Sequence, residues 1–260
     1  MSRSTFYYRV KVLKAGDKYA SLKSAIKAVY ERHKGRYGYR RITAELRQTG
    51  LAVNHKTVQR LMNILGLKSL VRPKRYRSYR GECVSSPNLL DRQFVAARPN
   101  EKWVTDVTEF KVRGEKLYLS PVMDLFNGEI VTFEIQERPL YCLVGNMLKK
   151  ALLKLKGRGA APLLHSDQGW HYQMPAYRKL LSDHGLKQSM SRKGNCLDNA
   201  AMESFFGTLK SEFFYLNRFA DVQELKEGLR RYIHYYNHKR IKLKLNSLSP
   251  VQYRTQATSC

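Results

Sequence analysis

The chain reads as an α/β protein, a mixed five-stranded sheet with flanking helices, preceded by a small helical helix-turn-helix domain. Three observations predict this. Residues 20–66 hold three short apolar-periodic runs, each stopped at a glycine (Gly35, Gly50, Gly66). After Pro99 the texture changes to three β-prone runs, then to alternating helical and strand-like runs. The charge divides along the same line. Of 48 Lys and Arg against 21 Asp and Glu (net +27), residues 1–80 hold 21 basic and only three acidic side chains.

In the front part, Leu22, Ile26 and Val29 mark a first helix ending near Gly35, and Ile42 to Leu46 open a second. Asn54 is placed to cap a third, His55 to Leu65, with Val58, Leu61, Met62 and Leu65 inward. That leaves His55, Lys56, Gln59, Arg60 and Asn63 outward, as in a helix-turn-helix reading element. Lys68 to Pro99 reads as a linker whose Arg72-Pro73-Lys74-Arg75 and Arg77 could follow a DNA groove.

In the second part, Lys102–Val112, Lys116–Phe126 and Glu129–Gln136 are three strands, broken at Arg113-Gly114 and at the hairpin signal Asn127-Gly128. A helix follows Pro139 to about Lys156. A buried strand Pro162–His165 comes next, then a helix Met174–His184 and a short strand Leu186–Met190. A helix starting near Asp198 carries Glu203, and another runs from Asp221. The order βββαβαβα places helices on both faces of a mixed sheet.

The charge balance makes a polyanion the expected partner. Aromatic residues interleave with the charges in Arg36-Tyr37-Gly38-Tyr39-Arg40-Arg41 and Lys74-Arg75-Tyr76-Arg77-Ser78-Tyr79-Arg80, a texture suited to stacking on bases while holding phosphates. A membrane surface is disfavoured, because no basic amphipathic helix carries a Trp/Phe/Leu face. Cys83, Cys142, Cys196 and Cys260 are scattered, which argues against a disulfide framework or zinc site and fits a reducing cytosol. The charged start without an apolar segment predicts no signal peptide, and no run approaches a membrane span of about 18 apolar residues.

Three acidic residues carry the chemical reading: Asp106, Asp167 and Glu203. In the βββαβαβα order, an acid mid-way along the first strand and one just past the fourth lie at one sheet edge, and a helix beside them supplies the third. Oxygen-only donors suit Mg²⁺, with Mn²⁺ as a substitute. Two such ions serve in-line displacement at phosphorus. Each acid alone has a plainer reading: a polar strand residue, a turn former before Gly169, and a helix-start acid favoured by the macrodipole. Asp124 and Asp198 are competing ligands; Asp124 reads as structural and Asp198 as a helix N-cap. Lys210, seven residues after Glu203, shares its helix face and is either a phosphate grip or a solvated lysine. His234 and His238 are spaced i, i+4 without companions and read as surface or DNA-facing residues. His165 and His171 flank Asp167 and read as packing or hydrogen-bonding residues.

Trp103-Val104-Thr105-Asp106, His165-Ser166-Asp167-Gln168-Gly169, Ser191 to Ala200 followed by Glu203, and Tyr235-Tyr236-Asn237 with Arg240 and Ser249-Pro250 together resemble one family. It is the DDE transposases of frameshifting bacterial insertion sequences, the second-reading-frame (OrfB) part, whose core is similar to retroviral integrases. The resemblance covers nearly the whole chain. It implies an RNase H-like core with Asp106, Asp167 and Glu203 as catalytic metal ligands for two Mg²⁺ ions and Lys210 as the family's basic residue. It also implies 3′-end cleavage and strand transfer on double-stranded DNA (the element's terminal inverted repeats and a target), through a circular intermediate.

A homo-oligomer on DNA, a partner from the upstream frame (OrfA) and a bacterial, nucleoid-associated cytoplasmic location follow as expectations. The start, Ser2 to Tyr8, reads like the back half of a recognition helix, so the chain is expected to lack an upstream DNA-binding domain. The expected organisation is a helix remnant over 1–18, the helix-turn-helix domain over 19–70, a basic linker over 71–98, the catalytic core over 99–218 and a helical extension over 219–260. The rival from another class is a DNA-binding regulator, or a fragment inactive without its fusion partner. A structure-selective nuclease is a second enzyme reading.

Overall fold

The computed structural model describes residues 2–7, 17–71, 87–91, 93–155, 161–192 and 196–258. The chain forms two compact units, Met1–Arg72 and Pro73–Cys260. The expected groove-following residues Arg72, Lys74, Arg75 and Arg77 lie outside the described residues.

The first unit is built from α1 (Ala20–Arg32), α2 (Tyr39–Gln48) and α3 (His55–Ile64). Each buries residues three and four apart: Ile26 and Val29 from α1, Ile42 and Leu46 from α2, Val58, Leu61 and Met62 from α3. At about 1.5–3 kcal/mol per fully buried side chain, this small core accounts for the unit's cohesion. Asn54 caps α3 by accepting from the Lys56 N–H at 2.9 Å. The turn after α1 needs Gly35, which sits at φ +71, and a Cβ there would meet the Leu70 side chain at 2.7 Å. One expectation is corrected here. Tyr37 is fully buried and stacked on His33 at 3.8 Å, so it belongs to the core and cannot stack on a base.

The second unit holds a mixed sheet of β1 (Lys102–Thr105), β2 (Thr108–Val112), β3 (Glu115–Asp124), β4 (Ile130–Gln136), β5 (Leu163–Ser166) and β6 (Lys187–Met190). The expected first strand is thus two segments, which makes six strands rather than five. Both segments pair antiparallel with β3 in one continuous register, Thr105 opposite Val122 and Thr108 opposite Leu119, so no residue is inserted. Extending either ladder places Asp106 across from Pro121, which has no N–H to give. The gap therefore falls at Asp106-Val107. Val107 N–H is satisfied instead by the Asp106 carboxylate at 2.7 Å, and Thr105 Oγ1 donates to the Pro121 carbonyl at 2.9 Å.

β4 continues the meander on the other edge of β3, and β5 and β6 add parallel strands beyond β1. Alternation along β1 sends Trp103 into one core and Val104 into the other. On Trp103's side lie α4 (Tyr141–Leu155), the single turn α5 (Trp170–Gln173) and α6 (Pro175–Asp183). On Val104's side lie α7 (Ala200–Glu212) and α8 (Val222–His238), through Phe205, Leu209, Leu225, Leu229 and Tyr236. Asn237 of α8 grips the start of β4 by accepting from Ile130 N–H and donating to Ile130 O, both at 2.9 Å. α9 (Pro250–Thr258) adds an Arg254–Glu129 ion pair at 2.7 Å. No helix among the described residues is long and apolar enough to cross a membrane.

Candidate active site

The break opposite Pro121 releases Asp106 from the ladder at the end of β1, where its carboxyl is half-buried. Asp167 follows β5, the parallel neighbour of β1, so the two strand ends lie side by side. Its Oδ1 accepts from the Gly169 N–H at 2.9 Å in a tight Asx-type turn. A Cβ on residue 169 would stand 2.9 Å from that same oxygen, so only glycine leaves the carboxylate room. Glu203 lies in the first turn of α7 and is half-buried.

Electrostatics ties the three together. Burial raises the Asp106 carboxyl well above the usual carboxylate range, and the charges of Asp167 and then Glu203 add to this. The Val107 N–H and Lys210 pull the other way. Asp167 is raised as well, by burial, against the Gly169 N–H and His171. Asp167 and Glu203 both act on Asp106, yet the three are not fully gathered. Among the described residues no three of His, Cys, Asp and Glu stand close enough to hold a metal ion. The donor chemistry still suits a hard divalent cation: the side chains are oxygen-only carboxylates, crowded by like charge, and a cation would relieve that repulsion.

Lys210, half-buried on α7, holds its ammonium 5.4 Å from the Phe110 ring and acts on Asp106. His165 is fully buried, with Nδ1 2.8 Å from Ser189 Oγ and Nε2 3.1 Å from Ser191 Oγ. Burial lowers it to about 4, so it is a neutral spacer under β5 and β6. His171 is buried against the Pro139 carbonyl at 2.8 Å.

The competing acids are both accounted for structurally. Asp124 accepts from the N–H groups of Asn100 (2.8 Å) and Phe126 (3.0 Å) and closes the β3 turn. Asp198 does not cap α7, which corrects the expectation. It lies in a 3₁₀ turn (Cys196–Asn199), and its Oδ2 accepts from Asn88 Nδ2 (3.0 Å), Arg192 N (2.9 Å) and Arg192 Nε (3.2 Å). Asn199 takes the N-cap position instead, without a side-chain capping bond.

Two participants escaped the sequence reading. Tyr172, fully buried, has its hydroxyl pushed far up by burial and then by Asp167 and Asp106, which makes it a neutral group beside both acids. Its signal was a tyrosine five residues past Asp167, indistinguishable from core in a single sequence. Asn199 donates to the Thr105 carbonyl at 3.2 Å, a contact across 94 residues that no local pattern announces.

In the first unit, Arg40, His55, Lys56, Gln59 and Asn63 are exposed. Arg40 lies 5.7 Å from the Tyr39 ring, and His55 stacks near that ring at 6.3 Å. Arg41 is half-buried over Tyr37, and Arg60 lies over Tyr19 at 5.0 Å. The exposed His234 and His238 stack on each other at 4.4 Å.

Comparison with known proteins places this geometry. A family described as integrase core domain matches residues 96–196, an HTH-like domain matches 18–75, and a second integrase core domain description matches 203–257. The putative transposase InsK for insertion sequence element IS150 of Escherichia coli (strain K12) is 58% identical over 255 residues, covering 98% of this chain and 90% of that protein. This chain belongs to the insertion-sequence transposase family. An uncharacterized transposase-like protein of Haemophilus influenzae is 53% identical over 217 residues, which are 83% of the transposase described here and 99% of that protein. Among solved structures, the transposase is similar to a chain of a simian T-cell lymphotropic virus intasome in complex with PP2A regulatory subunit B56 gamma. The TM-score is 0.53 at 17% identity, covering 88% of this chain and 74% of that one. At that identity the likeness shows the fold alone: an integrase-type, RNase H-like core with a mixed sheet and flanking helices.

Proposed function

We propose that the transposase is a Mg²⁺-dependent DNA strand transferase that cleaves the 3′ ends of its insertion sequence and joins them to target DNA. The observation that carries this reading is the convergence of the Asp167 and Glu203 charges on the buried Asp106 carboxyl, from two strand ends and one helix start. Asp106, Asp167 and Glu203 would hold the cations, Mg²⁺ or Mn²⁺ in substitution. When bound, a pair of such ions activates the attacking oxygen and stabilises the leaving oxygen of an in-line displacement. The chain's own residues supply the rest. Gly169 N–H orients Asp167, the ladder gap frees Asp106, and Lys210 offers a cation for a phosphate beside the acids. Arg40, Arg41, His55, Lys56, Gln59 and Arg60 on the first unit are the proposed DNA contacts, and two element ends call for a homo-oligomer on DNA.

The test is cleavage of a labelled terminal-repeat duplex with Mg²⁺. Asp106→Asn, Asp167→Asn and Glu203→Gln should each lose more than the roughly 100-fold that loss of an outer partner costs, with DNA binding retained. Full cleavage by any one of them removes that residue from the role. One observation favours the rival reading of a DNA binder that does not cut: the three acids are not gathered into a ready metal cage. That reading predicts end binding without a metal-dependent product.

A further inference from the structure

We propose that Asn199 is the positioning residue of the Glu203 carboxylate, a latch that fixes the start of α7 against the strand end carrying Asp106. The inference rests on the reading of Asp106, Asp167 and Glu203 as one ligand set.

Four observations carry it. Asn199 occupies the N-cap position of α7, where an asparagine ordinarily accepts from its own helix, yet it makes no such bond. Its side-chain amide instead crosses to the Thr105 carbonyl at 3.2 Å, on the residue preceding Asp106. Glu203 follows four positions later, one helical turn, so the latch and the carboxylate share a side of the helix. A displacement at Asn199 therefore moves Glu203 relative to Asp106 almost without loss. Finally, the turn has little other freedom. Asp198, fully buried, is turned to Asn88 and Arg192, and Arg192 Nη2 in turn reaches Asp91 at 2.9 Å.

Asn199 itself is buried, and among the described residues its Oδ1 has no hydrogen-bond partner. An asparagine kept buried with half of its amide unsatisfied is costly for packing alone, which capping its own helix would have improved. The bond it does make is the one that joins two carboxylate-bearing elements. Glu203 acts on Asp106 without the three acids yet forming a metal cage, so the position of the α7 start sets how far Glu203 must travel to join the other two. Outer-shell partners that orient a ligand commonly change metal affinity by about 10–100-fold when removed.

The experiment is a Mn²⁺ titration of the full chain by electron paramagnetic resonance, without DNA. It compares wild type, Asn199→Ala, Glu203→Gln, the double variant and Asp106→Asn. Asn199→Ala should weaken Mn²⁺ binding about tenfold. In the Glu203→Gln background the same change should add nothing, because the latch acts only through that carboxylate. Asn199→Ser, too short to reach Thr105, is carried in parallel and should behave like Asn199→Ala. An unchanged affinity in Asn199→Ala, or an equal loss with and without Glu203, overturns the latch while leaving the ligand set standing. An affinity untouched by Asp106→Asn overturns the ligand set itself, and the latch with it.

Discussion

Helix α7 carries two acids whose surroundings could hardly differ. At its last residue, Glu212 is buried and answered from within the protein. Arg240 approaches its two oxygens through Nε and Nη2, each at 2.7 Å, and Tyr232 donates to it at 3.0 Å. At its first turn, Glu203 adds its charge to that of Asp167 on the buried Asp106 carboxyl. One helix thus carries a carboxylate neutralised inside the protein at one end and, at the other, one that bears on a neighbouring acid. Holding like charges close together is costly, and acids perturbed in this way cluster at functional sites. The Glu212 end holds α7 and α8 together, and the Glu203 end brings a carboxylate to bear on Asp106.

Substitutions should break this comparison in opposite ways. The largest effect is expected at the Glu203 end, where Asp106→Asn ends cleavage but leaves the metal-free fold at least as stable as wild type, because it removes a carboxyl that is costly to bury beside two other acids. Thermal denaturation without divalent cations checks the second half of that statement, and a marked loss of stability would count against it. At the neutralised end the signs reverse. Arg240→Met strands Glu212 in the core and should cost about 3–5 kcal/mol of stability, read by urea unfolding. A loss under about 1 kcal/mol would show that the pair is not the anchor described.

Asp124 sharpens the comparison through pH. It is buried, and burial raises it to about 6 despite two N–H donors. The native state therefore holds this proton more tightly than the unfolded chain does, and stability should fall as pH rises from the ordinary carboxylate range to about 6. Unfolding of Asp124→Asn, measured against wild type across that range, should show a shallower decline, since the raised Asp106 and Asp167 keep their share; parallel curves would refute the assignment. The smallest effect lies in the first unit. Lys56→Ala should weaken DNA binding similarly on all sequences and lower the salt slope by about one, measured by filter binding at several salt concentrations.

Much of the fold was legible because its signals are local. Gly35, Gly66 and Asn127-Gly128 punctuate the chain where turns occur, and Asn54 caps α3 as its position indicated. The turn at Asp167 was legible for the same reason, since it is spelled in three residues. What sequence reading missed depends on pairs distant along the chain. The gap at Asp106 is dictated by Pro121 on the opposite strand, 15 residues on. Asp198 was assigned to its own helix because capping is local, whereas its partners Asn88 and Arg192 come from other segments. Tyr37 sits among arginines and tyrosines that read as a DNA surface, yet His33 and the helical core enclose it. The Glu212–Arg240 pair spans 28 residues, and nothing in either neighbourhood names the other.

The most direct test of the central claim is anomalous diffraction from crystals of the transposase soaked in Mn²⁺. Density for the ion is expected between Asp106 and Asp167, with Glu203 drawn toward it, and none in the Asp106→Asn variant. Mn²⁺ bound elsewhere, with this trio left as found, would contradict it.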